Sequence, residues 1–360
     1  MAYRNHSDFD HSQVGRIGVL ITNLGTPTEP TPRGVRPFLR EFLSDPRVVE
    51  IPRLLWWIIL NGIVLPIRPA RSARAYKSIW TEAGSPLLIH TRAQADALQL
   101  KLRDEYGEQV LVDCAFRYGE PSIGHGVQSL LDQGARRVLV LPLYPQYSSA
   151  TGGSTFDALA GDFSRRRWLP ELRFITHYHD NPAYITALAE SITAFRELHG
   201  GAQKLVFSFH GTPRSFLENG DPYYCECQKT ARLLARQLGL QDDEHVTTFQ
   251  SRFGAAQWLQ PYTDVTLQEL AAQGINSVQV VCPGFSADCL ETLAEIAIEN
   301  RDLYLTAGGE RYEYIPALNA EPAHIEMLAS LVGDNLQGWL REPEDALASK
   351  QRALSLGAEK

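Results

Sequence analysis

"RRVLVLPLYPQYSSATGGST", Arg136–Thr155, decides the fold. Its first part is a nearly unbroken leucine and valine run. A strand with one wet face would alternate apolar and polar residues. An unbroken run fits a strand buried on both faces, as in a parallel sheet covered by helices. The second part turns to proline, tyrosine, hydroxyls and glycines, which mark a strand-to-helix junction. The same order recurs along the chain. Candidate strands are "RIGVLITNL" (16–24), "VLVDCAFRY" (110–118) and "LRFITHYH" (172–179), then "KLVFSFH" (204–210), "HVTTFQS" (245–251), "SVQVVCP" (277–283) and "YEYIPAL" (312–318). Helical patterns such as "PAYITALAESITAFRELHG" and "YTDVTLQELAAQG" separate them. Strands alternating with amphipathic helices predict an α/β protein of two Rossmann-like, doubly wound domains with parallel sheets. The expected limits are 15–180 for the first domain and 181–324 for the second. A helix over 325–340 then returns to the first domain, and 341–360 is a charged, frayed tail.

Composition narrows the function. At 360 residues the chain can hold two cores, and a net charge of -8 argues against a nucleic-acid surface. The five cysteines (Cys114, Cys225, Cys227, Cys282, Cys289) are odd in number and scattered, which suits free thiols better than disulfides. The first residues, "MAYRNHSDFDHSQVGR", lack the apolar heart of a signal peptide, so a cytoplasmic protein is expected. The most apolar stretch is "LLWWIILNGIVLPIRP", Leu54–Pro69. Its uncharged part would span roughly 21 Å as a helix, short of the roughly 30 Å of a bilayer core.

In open α/β sheets, ligands bind beyond the carboxyl ends of strands. Those crests read "NLGTP", "RYGEPS", "YPQYSSATGGST", "HYHD", "HGTP", "QSRFG" and "PGFSADCLE". His210 ends its strand and can exchange a proton or ligate a metal; it can equally hydrogen-bond its own turn. Glu291, Glu295 and Glu299 stand at i, i+4 and i+8, a ladder able to hold a cation or relay protons. The plain alternative is a capping box, with Asp288 as cap and Glu291 reaching back, followed by a solvated face. The loop Tyr144–Thr155 can offer amides to an anion, although it lacks a P-loop lysine. Arg117 suits a carboxylate or a domain-bridging salt bridge.

Together "LITNLGTPTEPTPRGVRPFLREFLSD", "AFRYGEPS", "LPLYPQYSSATGGST", "SFHGTPRSF", "TFQSRFG" and "CPGFSADCLETLAEI" resemble the ferrochelatase family, in particular its Gram-negative bacterial members. The resemblance covers about Gly18 to Val332. It implies a chelatase-like fold with a porphyrin cleft between the domains, and a lyase that inserts Fe2+ into protoporphyrin IX as the last step of haem synthesis. It places His210 and Glu291 as catalytic residues facing the insertion centre, and His210, Glu291, Glu295 and Glu299 as metal contacts. It implies substrate contacts from Leu24, Trp57, Ile58, Arg117, Tyr118, Tyr144, Gln146, Tyr147 and Ser148. Coproporphyrin-using relatives carry tyrosine where this chain has Leu24, which favours protoporphyrin here. No tightly bound cofactor and no iron–sulfur cluster are expected, since no cysteine follows Trp339. The apolar stretch 54–69, with Arg68, Arg71, Arg74 and Lys77 as its basic flank, is expected to form a lip touching the inner membrane peripherally. The expected partners are protoporphyrin IX and ferrous iron, with no nucleic acid, and the chain is expected to be a monomer.

Overall fold

A computed structural model describes residues 3–4, 15–254, 256–340 and 345–359. Among the described residues the candidate runs become eight strands: β1 (Arg16–Gly25), β2 (Val110–Tyr118), β3 (Ala135–Pro142), β4 (Glu171–Phe174), β5 (Lys204–His210), β6 (His245–Gln250), β7 (Ser277–Val281) and β8 (Arg311–Ile315). They form two parallel sheets in the same order, β2-β1-β3-β4 and β6-β5-β7-β8. The fourth candidate strand is cut short. β4 is an edge strand paired only with β3, and the chain leaves the sheet after Phe174.

The first half carries α1 (Pro32–Ser44), α2 (Arg53–Ile59), α3 (Leu65–Ile79), α4 (Pro86–Tyr106), α5 (Ile123–Asp132) and α6 (Ser154–Phe163). The second carries α7 (Pro182–His199), α8 (Arg214–Glu218), α9 (Tyr223–Gln237), α10 (Thr263–Ala272) and α11 (Arg301–Thr306), followed by α12 (Pro322–Leu336) and α13 (Ala346–Ser355). Three π-helical stretches interrupt this pattern, at Leu60–Val64, Ser149–Gly153 and Glu291–Asn300.

Helices cover both faces of each sheet, as the unbroken strands require. Leu20, Val138 and Val140 pack under α5, while Val19, Ile21 and Leu139 face a core shared with Phe207, Phe209 and Leu328 of the other half. The two halves therefore share one apolar interior. α12 lies against α4, and Trp339 beyond it closes on the first sheet. Its indole N–H donates to Glu171 at 2.6 Å, and Arg173 stacks on its ring.

The expected frayed tail is in part ordered. α13 forms because Asp345 caps it, accepting from the Leu347 and Ala348 amides. Residues 341–344 and 360 of that tail, and most of the polar N-terminal segment, lie outside the described residues. Among the described residues no helix is long and apolar enough to cross a membrane.

In each sheet the strand order reverses between the first strand and the third, and ligands gather at that switch point. The strands involved are β1 and β3, then β5 and β7. Their ends deliver Leu24, Tyr144, His210 and the loop leading to Glu291.

Candidate active site

The four ends converge. Ser286, after β7, donates its hydroxyl to Leu143 O at 2.9 Å, and Gln94 of α4 donates to Ser286 O at 2.8 Å. Leu24 packs with Leu87, Phe285, Ala287 and Cys289. Phe285 in turn stands beside the His210 ring, centroids 6.4 Å apart. Gly25 makes the turn after β1 at φ +111°, where a Cβ would fall 1.8 Å from Tyr118 O.

His210 is half-buried, and its Nδ1 lies 2.6 Å from Gly211 O. A carbonyl only accepts, so Nδ1 carries the proton. When the ring is neutral, Nε2 is the lone pair that can accept a proton or bind a metal.

Asp288 pins the loop before Glu291. Its carboxylate accepts from Thr292 Oγ1 at 2.9 Å, Tyr314 OH at 2.6 Å and Asn319 Nδ2 at 2.8 Å. The expected capping box is thus corrected. Thr292 reaches back, receiving the Cys289 amide at 3.0 Å, and Glu291 is left free of that task. Glu291 and Glu295 stand on the π-helical stretch, whose geometry is rare and frequent at functional sites. Glu295 accepts from the Ser251 amide at 2.7 Å and from the Ser251 hydroxyl, and Gln250 joins it at 3.4 Å. Burial raises the Glu295 carboxyl above its ordinary range, and Glu291 adds to the rise. The Ser251 hydrogen bonds and the charge of His210 oppose it. His210, Glu291 and Glu295 therefore feel one another's charge. Ser251 itself sits at φ +67°, an uncommon backbone for serine, and the Glu295 carboxylate holds its amide there.

Glu299 is not brought to this group. It is exposed and lines a surface depression with Gln268, Asp302 and Thr306. The carboxylate row runs from solvent inward.

Two further residues come from α3: Arg68 of the basic flank, and Tyr76, which no motif singles out. Arg68 of α3 stacks over Phe253 at 5.2 Å and feels Glu291; burial lowers its pKa. Tyr76 is buried, and burial followed by Glu291 pushes its hydroxyl well up. No local pattern marks either residue, because only the fold brings α3 against the π-helical stretch. Within the lip, Trp56 is buried and donates to Leu43 O at 2.6 Å, while Trp57 is 63% and Ile58 56% exposed.

Several expected substrate contacts have partners within the protein. Arg117 donates to Asp45 Oδ2 at 2.5 Å and to Ser154 Oγ at 2.6 Å, and lies over the Tyr118 ring. Tyr118 is fully buried and donates to Asp45 at 2.9 Å. This ion pair stays inside the first half, so the idea of a domain bridge is corrected. The loop after β3 does not offer its amides to open solvent. The Tyr147 amide donates to Glu226 at 2.7 Å and the Ser149 amide to Asp221 at 2.7 Å. Gln146 donates to Thr230 at 3.0 Å and Ser148 to Asp221 at 3.1 Å. This loop stitches the halves together. Tyr144 differs: its hydroxyl is buried without a hydrogen-bond partner among the described residues, and burial holds it well above its ordinary range.

A sequence model of the ferrochelatase family matches residues 16–336. The chain belongs to the ferrochelatase family. Ferrochelatases of the Gram-negative bacteria Idiomarina loihiensis and Alcanivorax borkumensis agree with that membership. The first is 58% identical over 352 residues, 98% of this chain and 96% of the relative. The second is 59% identical over 340 residues, 94% and 100%. The solved structure of SirB from Bacillus subtilis with Fe3+ aligns at a TM-score of 0.52 over 90% of this chain and 97% of that one. At 12% identity that likeness concerns the chelatase-like fold alone. Ferrochelatases are lyases, and iron is their substrate.

Proposed function

We propose that the chain inserts Fe2+ into protoporphyrin IX, releasing two pyrrole protons, and that His210 and Glu291 face each other across the macrocycle. The observation that carries the residue assignment is His210 with Nδ1 tied to Gly211 O, in electrostatic contact with the carboxylate pair. Nε2 of His210 is the proton acceptor. Glu291 and Glu295 offer negative charge to a partly dehydrated cation, and Glu299 stands at the solvent end of that path. Leu24, Phe285 and the lip supply an apolar wall for a flat, greasy ring. Arg68 has no hydrogen-bonded carboxylate among the described residues, so it suits a carboxylate on the ring edge. The orphaned Tyr144 hydroxyl is a further contact for the substrate.

The exposed side chains of Leu54, Trp57, Ile58, Ile63 and Ile67 lie on α2, the adjoining π turn and α3, beside Arg71 and Arg74. An apolar patch with a basic flank suits an anionic bilayer surface. We assign this patch to the inner membrane rather than to a second copy, so the enzyme works as a peripheral, cytoplasmic monomer. It needs no resident cofactor.

The test is anaerobic incubation with Fe2+ and protoporphyrin IX. The free-base spectrum should give way to that of protohaem with repeated turnover. Stoichiometric haem binding without turnover would replace the enzyme with a carrier.

A further inference from the structure

The loop leaving β4 carries chemistry that the chelation centre does not use. Tyr178 turns inward, its amide donating to Pro145 O at 2.9 Å and its hydroxyl 3.2 Å from Ser286 Oγ. His177 and His179 flank it in sequence and meet a different partner. Asn181 ends the loop by capping α7 through the Ala183 and Tyr184 amides, with Pro182 as the first helical residue. Opposite, α9 of the second half presents Glu226, only 6% exposed. Its Oε1 lies 3.0 Å from His177 Nδ1 and its Oε2 3.3 Å from His179 Nδ1. One nitrogen of each ring and one carboxylate oxygen all lie within 4.8 Å of one another.

The cluster is incompletely satisfied. His179 is 6% exposed, yet among the described residues its Nδ1 makes no hydrogen bond and stands 3.3 Å from Glu226 Oε2. Its other nitrogen is 3.9 Å from Asp180 Oδ2, a carboxylate that also takes the Lys229 ammonium. Among the described residues no lysine or arginine pairs with Glu226.

We propose that His177, His179 and Glu226 form a second metal site, apart from the chelation centre, that takes a divalent transition ion such as Zn2+. Two imidazoles and a carboxylate are a donor set for such ions, whereas Ca2+ and Mg2+ prefer oxygens throughout. Ligands about 2.1 Å from a tetrahedral zinc stand about 3.4 Å apart. The hydrogen-bonded His177 Nδ1–Oε1 pair at 3.0 Å and the His179 Nδ1–Oε2 pair at 3.3 Å, each to its own carboxylate oxygen, are close to that before any adjustment. Asp180 is placed to orient the far side of His179, as carboxylates do behind metal-binding histidines. His177 is half-exposed and leaves a path for entry. Because β4 and its loop belong to the first half and α9 to the second, the ion clamps the seam that Tyr147–Glu226 and Ser148–Asp221 already close.

The test uses full-length protein freed of metal by chelation, with Co2+ as a visible probe and Zn2+ for thermal shift. The background is the triple variant His210→Ala, Glu291→Gln, Glu295→Gln, which removes the chelation centre's ligands. That protein should still bind one equivalent of Co2+ with low-symmetry absorption bands, and Zn2+ should raise its melting temperature. Adding His177→Ala should weaken binding more than tenfold and abolish the shift. Glu226→Gln keeps an acceptor for the Tyr147 amide, so it should lose the metal effects while melting normally in chelator. If the triple variant binds no Co2+, or binds equally well with His177→Ala and with Glu226→Gln, the site does not exist.

Discussion

Asp45→Ala separates two roles for Arg117. Asp45 is 5% exposed and receives four donors: Ser154 Oγ at 2.5 Å, Arg117 at 2.5 Å, the Arg47 amide at 2.8 Å and Tyr118 OH at 2.9 Å. Breaking a buried ion pair by removing one partner costs about 3–5 kcal/mol, because the other charge is left uncompensated. The Arg117 side chain is 18% exposed, which places the cost at the lower end, about 3 kcal/mol. At about 2–4 °C per kcal/mol, the first transition in calorimetry at pH 7 should fall by about 6–12 °C. Pairing the change with Arg117→Met should give a loss smaller than the sum of the two, by more than about 1 kcal/mol. Acid should show the same linkage. Burial alone would raise the Asp45 carboxyl, but Ser154, the Arg47 amide, Tyr118 and Arg117 together hold it below its ordinary value. A depressed carboxylate stabilises the fold above its unfolded pKa, and that contribution disappears as pH falls through the folded value. Wild type should therefore lose stability steeply below about pH 4, and Asp45→Ala should lose that part of the slope. The reasoning fails if Asp45→Ala melts within about 2 °C of wild type while Arg117→Met raises KM for the porphyrin. That result would restore Arg117 to the substrate.

Other outcomes follow from single sites. Trp57→Ser with Ile58→Ser should leave the melting temperature almost unchanged, because both are exposed surface positions, yet weaken sedimentation with anionic liposomes. Trp56→Ala, next door but buried and bonded to Leu43 O, should cost about 3–5 kcal/mol in denaturant unfolding. His324 is buried and its pKa is lowered to about 4. The folded state resists a proton that the unfolded chain accepts near pH 6.5, so stability should fall as pH drops from about 6.5 to about 4, and His324→Gln should flatten that slope. The raised Glu295 carboxyl ionises only as pH climbs through its elevated value. The metallation rate should rise with pH across that window, and Glu295→Gln should remove the limb.

The central strands β1, β3, β5 and β7 were legible because burial on both faces leaves a mark in consecutive residues, whereas the edge strand β4, less buried, stops at Phe174 and not at His179 as its pattern suggests. The crests were legible for the same reason, since strand ends predict where ligands gather. His210 and the carboxylates could be pointed to from position, but local spacing allowed a capping box that Thr292 in fact satisfies. What stayed hidden depends on distant partners. Arg117 meets Asp45 72 positions away, and the Tyr147 amide meets Glu226 79 positions away. Arg68 read as a basic flank because its approach to Glu291 exists only once α3 crosses the π-helical stretch. The π geometry of residues 291–300 has no signature in apolar periodicity, and it sets where the carboxylates stand.

The most direct test of the central claim is the anaerobic rate of metal insertion into protoporphyrin IX by His210→Ala and Glu291→Gln, measured at saturating metal and porphyrin beside wild type. The account predicts correctly folded proteins that still bind porphyrin, with kcat lowered at least a hundredfold in each. Either variant inserting metal at the wild-type rate would contradict it.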